Sequence, residues 1–411
     1  METPQNYDTI IVGAGIAGLY AAYKIIKRNP EHRLLILERE DHIGGRMGTV
    51  NFHGSPIAIG AGVGRKRKDK LLKKLLQELR IPTHEFRIHT HYAETFGEPC
   101  DVKHTFEYLK TLYQKRSGHD HKENFQEFAT KILGKPHYEH FIACAGYTDY
   151  EKEAAYHTFT HYGFEDNYQQ PWTAIGIPWQ KLLQSLQNSI GRTRIKINQA
   201  VTKIRQKPDS GHWQVYSTNE VDGAKQKWET TRLIVATTVD TVRRLIPESK
   251  DPTNPLSTIE GQPFLRIYGK FTPESRKIFE QFVPTTTIVP GPIHKIIPIN
   301  PPQGIYMIVY TDNRGAKTLK KYADNTAQNR KSLCKYLQAA LGIPETPGLE
   351  LEDIRSFYWP VGTHYYRTQT PANNPPSQHP QPNLYIVGEM ISHNQGWVEG
   401  ALESVHSILP M

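Results

Sequence analysis

Apolar runs and helical spacing take turns along the first part of the chain. Residues 9–12 form a short apolar run fit for one buried strand, and Gly13, Gly15 and Gly18 follow in the order G-x-G-x-x-G. From there LYAAYKIIKR takes up the three-and-four rhythm of a helix, and HRLLILERE reads as a second strand ending at Glu38. In RKRKDKLLKK, at 65–74, Leu71, Leu72, Leu75 and Leu76 space like one helix face with lysines opposite, which predicts a solvated basic helix. FEYLKTLYQKR, ENFQEFATKIL and WQKLLQSLQNSIG carry further helical periods between 90 and 190. From 194 the pattern alternates, with RIKINQAVTKIRQKPDSGHWQVYSTN predicting strands around a Pro-Asp-Ser-Gly turn. RLIVATTVDTVRRLIP (232–247) predicts strand, turn and helix; PFLRIYGKF and GIYMIVYTD predict strands, and NRKSLCKYLQAALG a helix. TPANNPPSQHPQPN (370–383) reads as a loop, and 384–387 as a last strand before a final helix.

The glycines carry the first chemistry. A strand, a tight glycine turn and a helix together aim free N–H groups and a partial positive charge at one point, which suits a pyrophosphate. Glu38 lies 20 residues after Gly18. An acidic residue there bonds a ribose hydroxyl and repels the extra phosphate of NADP. FAD or NAD is the ligand class that follows. REDHIGGRMGTV then places Gly44, Gly45 and Arg46 directly after the second strand, and a plain NAD dehydrogenase gives no reason for this second glycine turn.

With those residues in hand the chain resembles the FAD-dependent amine oxidase family, which includes monoamine, polyamine and L-amino-acid oxidases. In that family a G-G-R turn packs beside the pyrophosphate, and a short Gly/Ala loop, matched here by Gly60, Ala61 and Gly62, passes over the flavin. The far end agrees, since Gly388-Glu389 and Gly396-Trp397-Val398-Glu399-Gly400-Ala401 look like the family's closing motif at the ribityl, phosphate and ring of the flavin. The resemblance implies an α/β fold: a Rossmann-like FAD-binding domain (1–85, 194–261 and 356–411) interleaved with an α+β substrate-binding domain (86–193 and 262–355). The cofactor contacts it implies are Gly13, Gly15, Ala17, Gly18, Glu38, Arg39, Gly45, Arg46, Gly60, Ala61, Gly62, the backbone of Val201, Gly388, Glu389, Gly396, Trp397 and Val398. Where covalent members carry a cysteine, this chain has Thr363, so noncovalent FAD is expected.

Composition narrows the setting. The 411 residues suit two domains, and 37% hydrophobic with 22% charged residues describes a soluble globular chain. The net charge of +9 is dispersed outside 65–74, so no nucleic-acid partner is expected. Cys100, Cys144 and Cys334 are few and widely spaced, forming neither a disulfide framework nor a zinc pattern; no metal is expected and a reducing, cytoplasmic setting is. No signal peptide and no membrane anchor are read, and the state is a monomer or homodimer.

The expected reaction oxidises a monoamine, diamine or polyamine to an imine with O2, giving H2O2. The resemblance implies two aromatic rings facing the flavin; Trp397 matches one, and His364 or Tyr365 falls nearest the other. Arg266 stands where most members place a lysine near the flavin, with Lys270 and Lys295 as other cations able to reach inward. Glu165 and Asp166 are candidates to hold a distal ammonium, and Arg266 or Arg355 to hold a substrate carboxylate. Alternatives are an amino-acid oxidase, a desaturase, a porphyrinogen-type oxidase or a flavin-dependent mutase on the same scaffold, or a weakly active flavoprotein that binds a partner.

Overall fold

The computed structural model describes residues 5–116, 122–162, 172–368 and 377–409. Its first sheet is built on the glycine-bearing strand. Gln5–Val12 pairs in parallel with Leu34–Leu37 on one side and with Lys225–Val235 on the other. Leu384–Ile386 and Ile195–Lys196 extend the parallel set at its two edges. The strands Gln199–Gln206 and Trp213–Asn219 add on antiparallel, across the predicted Pro-Asp-Ser-Gly turn. The parallel strands read as unbroken apolar runs because both faces are covered. Ile11, Leu34, Ile36 and Ile234 enter one core with the helices Ile16–Arg28, Lys70–Glu78 and Val398–Ile408. Their neighbours Ile10, Val12, Leu35, Leu37, Leu233 and Val235 enter another, with Trp213, Val215 and the helix Val239–Leu245. Arrangement and sequence agree here: this is an α/β fold of doubly covered, mostly parallel type.

A second sheet of six strands stands opposite, in the order Leu351–Tyr366, Ile259–Phe271, Ile305–Asp312, Lys295–Asn300, Thr286–Ile288, Thr90–Tyr92. One face packs Leu265, Ile267 and Phe271 onto the helices Pro273–Phe282, Asn313–Leu319 and Ala327–Leu341. The other face presents Phe264, Arg266 and Tyr268 to the cavity described below. A separate helical core, centred on Phe125 and Phe128, gathers the helices between Val102 and His161.

Three expectations change. WQKLLQSLQNSIG forms the helix Trp179–Ile190, but Trp179, Leu182, Leu183, Leu186 and Ile190 join the core of the first sheet, not that of the second. Periodicity shows that a helix has an apolar face, not which core will receive it. The boundaries at 261/262 and 355/356 fall inside the two longest strands, which pair antiparallel from Ile259 with Tyr366 to Phe271 with Leu351. The cysteines are not all free: Cys100 and Cys144, 44 residues apart, are bonded with their Cα atoms 5.4 Å apart, while Cys334 is free and buried. The bond ties the segment before the helix Val102–Gln114 to the helix Lys135–Ala145, a proximity created by tertiary folding and invisible in spacing. Residues 370–376 of the expected loop lie outside the described residues, as do Glu165 and Asp166. Among the described residues no helix is long and apolar enough to cross a membrane.

The disulfide makes a countable prediction. Protein unfolded without reductant should react with one equivalent of thiol reagent, from Cys334, and with three after reduction. Three equivalents before reduction would mean that the bond does not form.

Candidate active site

The carboxyl ends of the parallel strands, at Val12, Leu37 and Val235, open onto one cavity of about 1220 Å³ whose far wall is the second sheet. Single small-molecule sites usually take about 300–1,000 Å³, so this one has room for a large cofactor and a substrate together.

Its floor is glycine backbone. Gly13 has φ +101°, and a Cβ there would lie 2.5 Å from the Ala236 carbonyl. Gly18 does not line the cavity; a Cβ on it would meet the Gly13 carbonyl at 2.0 Å, so its role is to let helix and strand touch. The two glycine turns lie side by side, the Gly44 N–H donating to the Ala14 carbonyl at 2.9 Å. The helix Ile16–Arg28 begins without a side-chain cap and without an acidic residue in its first turn, which leaves its N-terminal donors for an anion. Ala17 lies beside this N-terminus on the cavity wall, and Arg39, exposed and paired with Glu40, lies at its rim. The Glu38 carboxylate is buried, accepting from the Ala14 N–H at 2.6 Å and the Glu40 N–H at 3.0 Å. A carboxylate has about four acceptor positions, so capacity for a hydroxyl remains.

Three aromatic donors hang the Gly60-Ala61-Gly62 loop in place. Tyr268 donates to the Ala58 carbonyl (2.6 Å), Trp359 to that of Ile59 (2.8 Å) and Trp179 to that of Gly62 (2.8 Å). On the inside of the turn the Ala61 N–H reaches the Arg46 carbonyl. Sequence reading found the small residues but not the rings that hold them.

The closing motif is organised by a buried carboxylate. Glu389 accepts from Arg46 Nη1 at 2.8 Å, from His364 Nδ1 at 2.5 Å and from the Gly396 N–H at 2.9 Å. Burial alone would raise its pKa, but His364, Arg46 and the Gly396 N–H hold it well below the usual carboxylate range. Arg46, expected on a phosphate, also gives Nη1 to the Gly362 carbonyl. His364, a candidate for the second ring, lines the cavity with both nitrogens engaged: its Nε2 accepts from the Val239 N–H at 3.2 Å, which leaves the proton on Nδ1 for Glu389. Both ring nitrogens are engaged, and the imidazole acts as a buried strut. Tyr365, the other candidate for the second ring, is half-buried on the cavity wall.

Trp397 precedes the helix Val398–Ile408 and faces the cavity with Gly388, Gly396 and Val398. Its indole N–H donates to Asp69 Oδ2 at 2.8 Å, and the Arg65 guanidinium lies over the ring at 5.4 Å. Asp69 is fully buried and also takes the Arg65 N–H, so the predicted basic helix begins on a hidden anion. Val201 lines the opposite end of the cavity, its carbonyl accepting from Arg244.

The far wall alternates cations and rings. Arg266, Tyr310 and Lys295 are register partners across three adjacent strands. The Arg266 guanidinium lies 4.5 Å from the Tyr310 ring centre, and the Lys295 ammonium 3.2 Å from that of Tyr147. Arg266 is 5% exposed and its Nη1 has no hydrogen-bond partner among the described residues, an orphaned donor beside the Gly62 loop. Burial pushes the Lys295 pKa down to about 7, against the pull of Asp149 and Asp312. Asp149 and Glu153 also line this part, raised by burial to about 6 and about 8. Lys270 does not reach the cavity. A strand advances about 3.3 Å per residue, which carries it past the site and onto Glu352 at 2.6 Å. Arg355 is exposed and does not line the cavity.

The donors and acceptors fit a flavin dinucleotide: an uncapped helix start, a free-sided carboxylate, a glycine floor and one unpaired guanidinium nitrogen of Arg266 converge on one cavity. Comparison with known proteins meets this geometry. The chain is 38% identical over 80 residues to AofH of Mycobacterium tuberculosis, whose name describes a flavin-containing monoamine oxidase; the match spans 20% of this chain and only 17% of that protein. It is 48% identical over 52 residues to polyamine oxidase 1 of Zea mays, across 13% of this chain and 10% of the other. A putrescine oxidase double mutant with redesigned cofactor binding has the same fold, with a TM-score of 0.73, 16% identity and 98% of both chains covered. The family model for flavin containing amine oxidoreductases matches residues 16–405, and the chain belongs to that family.

Proposed function

We propose that this protein holds FAD noncovalently and oxidises amines to imines with O2, releasing H2O2. The observation that carries the reading is that one cavity joins the dinucleotide motifs of both chain ends to a buried wall of aromatic rings and cations. The pyrophosphate falls to the Gly13–Gly15 turn and the helix behind it, the adenosine ribose to Glu38, and the remainder to the Gly60–Gly62 loop and the Gly388–Val398 segment. None of the chain's cysteines lines the cavity, and Thr363 bonds Gln262, which supports a noncovalent cofactor. When bound, the flavin supplies a two-electron acceptor that takes a hydride equivalent from the carbon beside nitrogen and passes the electrons to O2.

The chain's own residues set the rest. An amine arrives protonated and must lose that proton before its α-carbon can release hydride. Arg266 stays charged and is a poor proton acceptor. Lys295 is the group suited to the task, because burial keeps a large fraction of it neutral near pH 7. Asp149, Asp312 and the Tyr147 face favour its charged form, while His294 beside it adds no lasting charge, its own pKa pushed down to about 4 by burial. Trp397 and Tyr365 flank the substrate space, and Asp149, raised only to about 6, offers a carboxylate to a second cationic nitrogen, favouring diamines or polyamines.

A panel of monoamines, diamines, polyamines and amino acids tests the activity, with peroxide as the readout and amines expected to give it. Heat or acid should release intact FAD; flavin retained on the denatured chain, or peroxide from amino acids alone, would overturn the proposal.

The kcat for amines should rise with pH through about 7 as Lys295 loses its proton. In Lys295→Met that limb should move upward toward the substrate's own ionisation, and an unchanged profile would remove Lys295 from the reaction.

Trp397→Ala, compared at equal flavin content, should lower turnover by on the order of 100-fold through misplacement of the amine. Equal turnover would reduce the ring to a packing role.

A further inference from the structure

Beyond the amine-facing wall, three histidines from two distant segments meet at the cavity's edge. His157 and His161 lie four apart on the helix Ala155–His161 and therefore share one face of it. His393 comes from the segment between Glu389–Ile391 and Trp397. The His161 and His393 rings stack with centres 4.7 Å apart, and the His157 ring lies 5.9 Å from that of His161. One nitrogen from each of the three lies within 4.8 Å of the other two.

We propose that His157, His161 and His393 form a binding site for a divalent transition-metal ion, Zn2+ being the best match. Zn–N bonds of about 2.0–2.1 Å put tetrahedral ligand atoms about 3.3 Å apart, so modest ring rotation closes the triad on an ion. An all-imidazole set suits Zn2+, Ni2+ or Cu2+ and not Mg2+ or Ca2+, which want oxygen. Tyr156 and Tyr366 pack on His157 with centres 5.6 and 5.0 Å away and fix its plane. Burial is graded across the site, from His157 inside through half-buried His161 to exposed His393, which leaves one coordination position facing solvent. The other sulfur–nitrogen cluster, Cys100, His140 and Cys144, offers no thiolates while its cysteines are bonded to each other. An ion held by the three histidines ties the helical core to the segment that carries Glu389 and Trp397.

Equilibrium dialysis of the flavin-loaded, non-reduced protein against Zn2+ tests this, with zinc-edge X-ray absorption to count imidazoles. One ion per chain with a three-imidazole shell is expected. His161→Ala and His393→Ala should each weaken binding at least tenfold, with flavin absorbance and circular dichroism unchanged, and His140→Ala should bind as the wild type does. His393 is exposed, so its variant tests the site without disturbing the interior. The proposal is overturned if the wild type binds no Zn2+, if binding survives in both variants, or if His140→Ala abolishes it.

Discussion

The Glu389 carboxylate is the point on which the site depends. A buried anion is costly unless its neighbours replace the water it lost, and here the replacements are Arg46 from the distant second glycine turn, His364 from the end of a second-sheet strand, and the Gly396 N–H from its own segment. Arg46 also holds the Gly362 carbonyl, two residues from His364. The strand that forms the edge of the second sheet is thereby fixed against the second glycine turn. Breaking such a pair by removing one partner typically costs about 3–5 kcal/mol, because the other charge stays buried alone.

Around this fixed point the two walls have different chemistry. The first-sheet wall is backbone, with glycines that let a large ligand lie close and carbonyls held by the N–H or O–H of Tyr268, Trp359 and Trp179. The opposite wall is side chain, a row in which the cations Arg266 and Lys295 flank the paired rings of Tyr310 and Tyr147. Rings stabilise buried cations through their negative faces without neutralising them. A permanent charge at Arg266 and an exchangeable one at Lys295 can then coexist on one sheet face.

What the sequence made legible was local. G-x-G-x-x-G, Glu38 at its distance and the two closing glycine motifs depend on neighbours in the chain, and the parallel strands announced themselves by being apolar on both faces. What it hid was pairing across long separations. Cys100 meets Cys144 through the packing of a helical core, and the helix Trp179–Ile190 chooses the first-sheet core although its period fits either. His364 was one of two candidates for the second ring, but only the positions of Glu389 and the Val239 N–H show both its nitrogens engaged. Two acids of the cavity follow the same rule: Asp149 and Glu153 look ordinary in sequence and become cavity groups through the segment that follows the helix Lys135–Ala145.

The two longest strands, Ile259–Phe271 and Leu351–Tyr366, run side by side from the nucleotide side into the second sheet. Their paired backbone is a continuous two-stranded beam, and a beam cannot act as a hinge. Large scissor-like opening of the two halves would have to break its ladder of hydrogen bonds. Traffic to the cavity is therefore assigned to side chains and rim segments, and the two halves mature as one cooperative unit. Neither has a self-contained stretch of chain, so the first sheet cannot be complete until Leu384–Ile386 has been synthesised. Such dependence on contacts distant in sequence slows folding, and it makes cofactor capture a late event in the life of the chain.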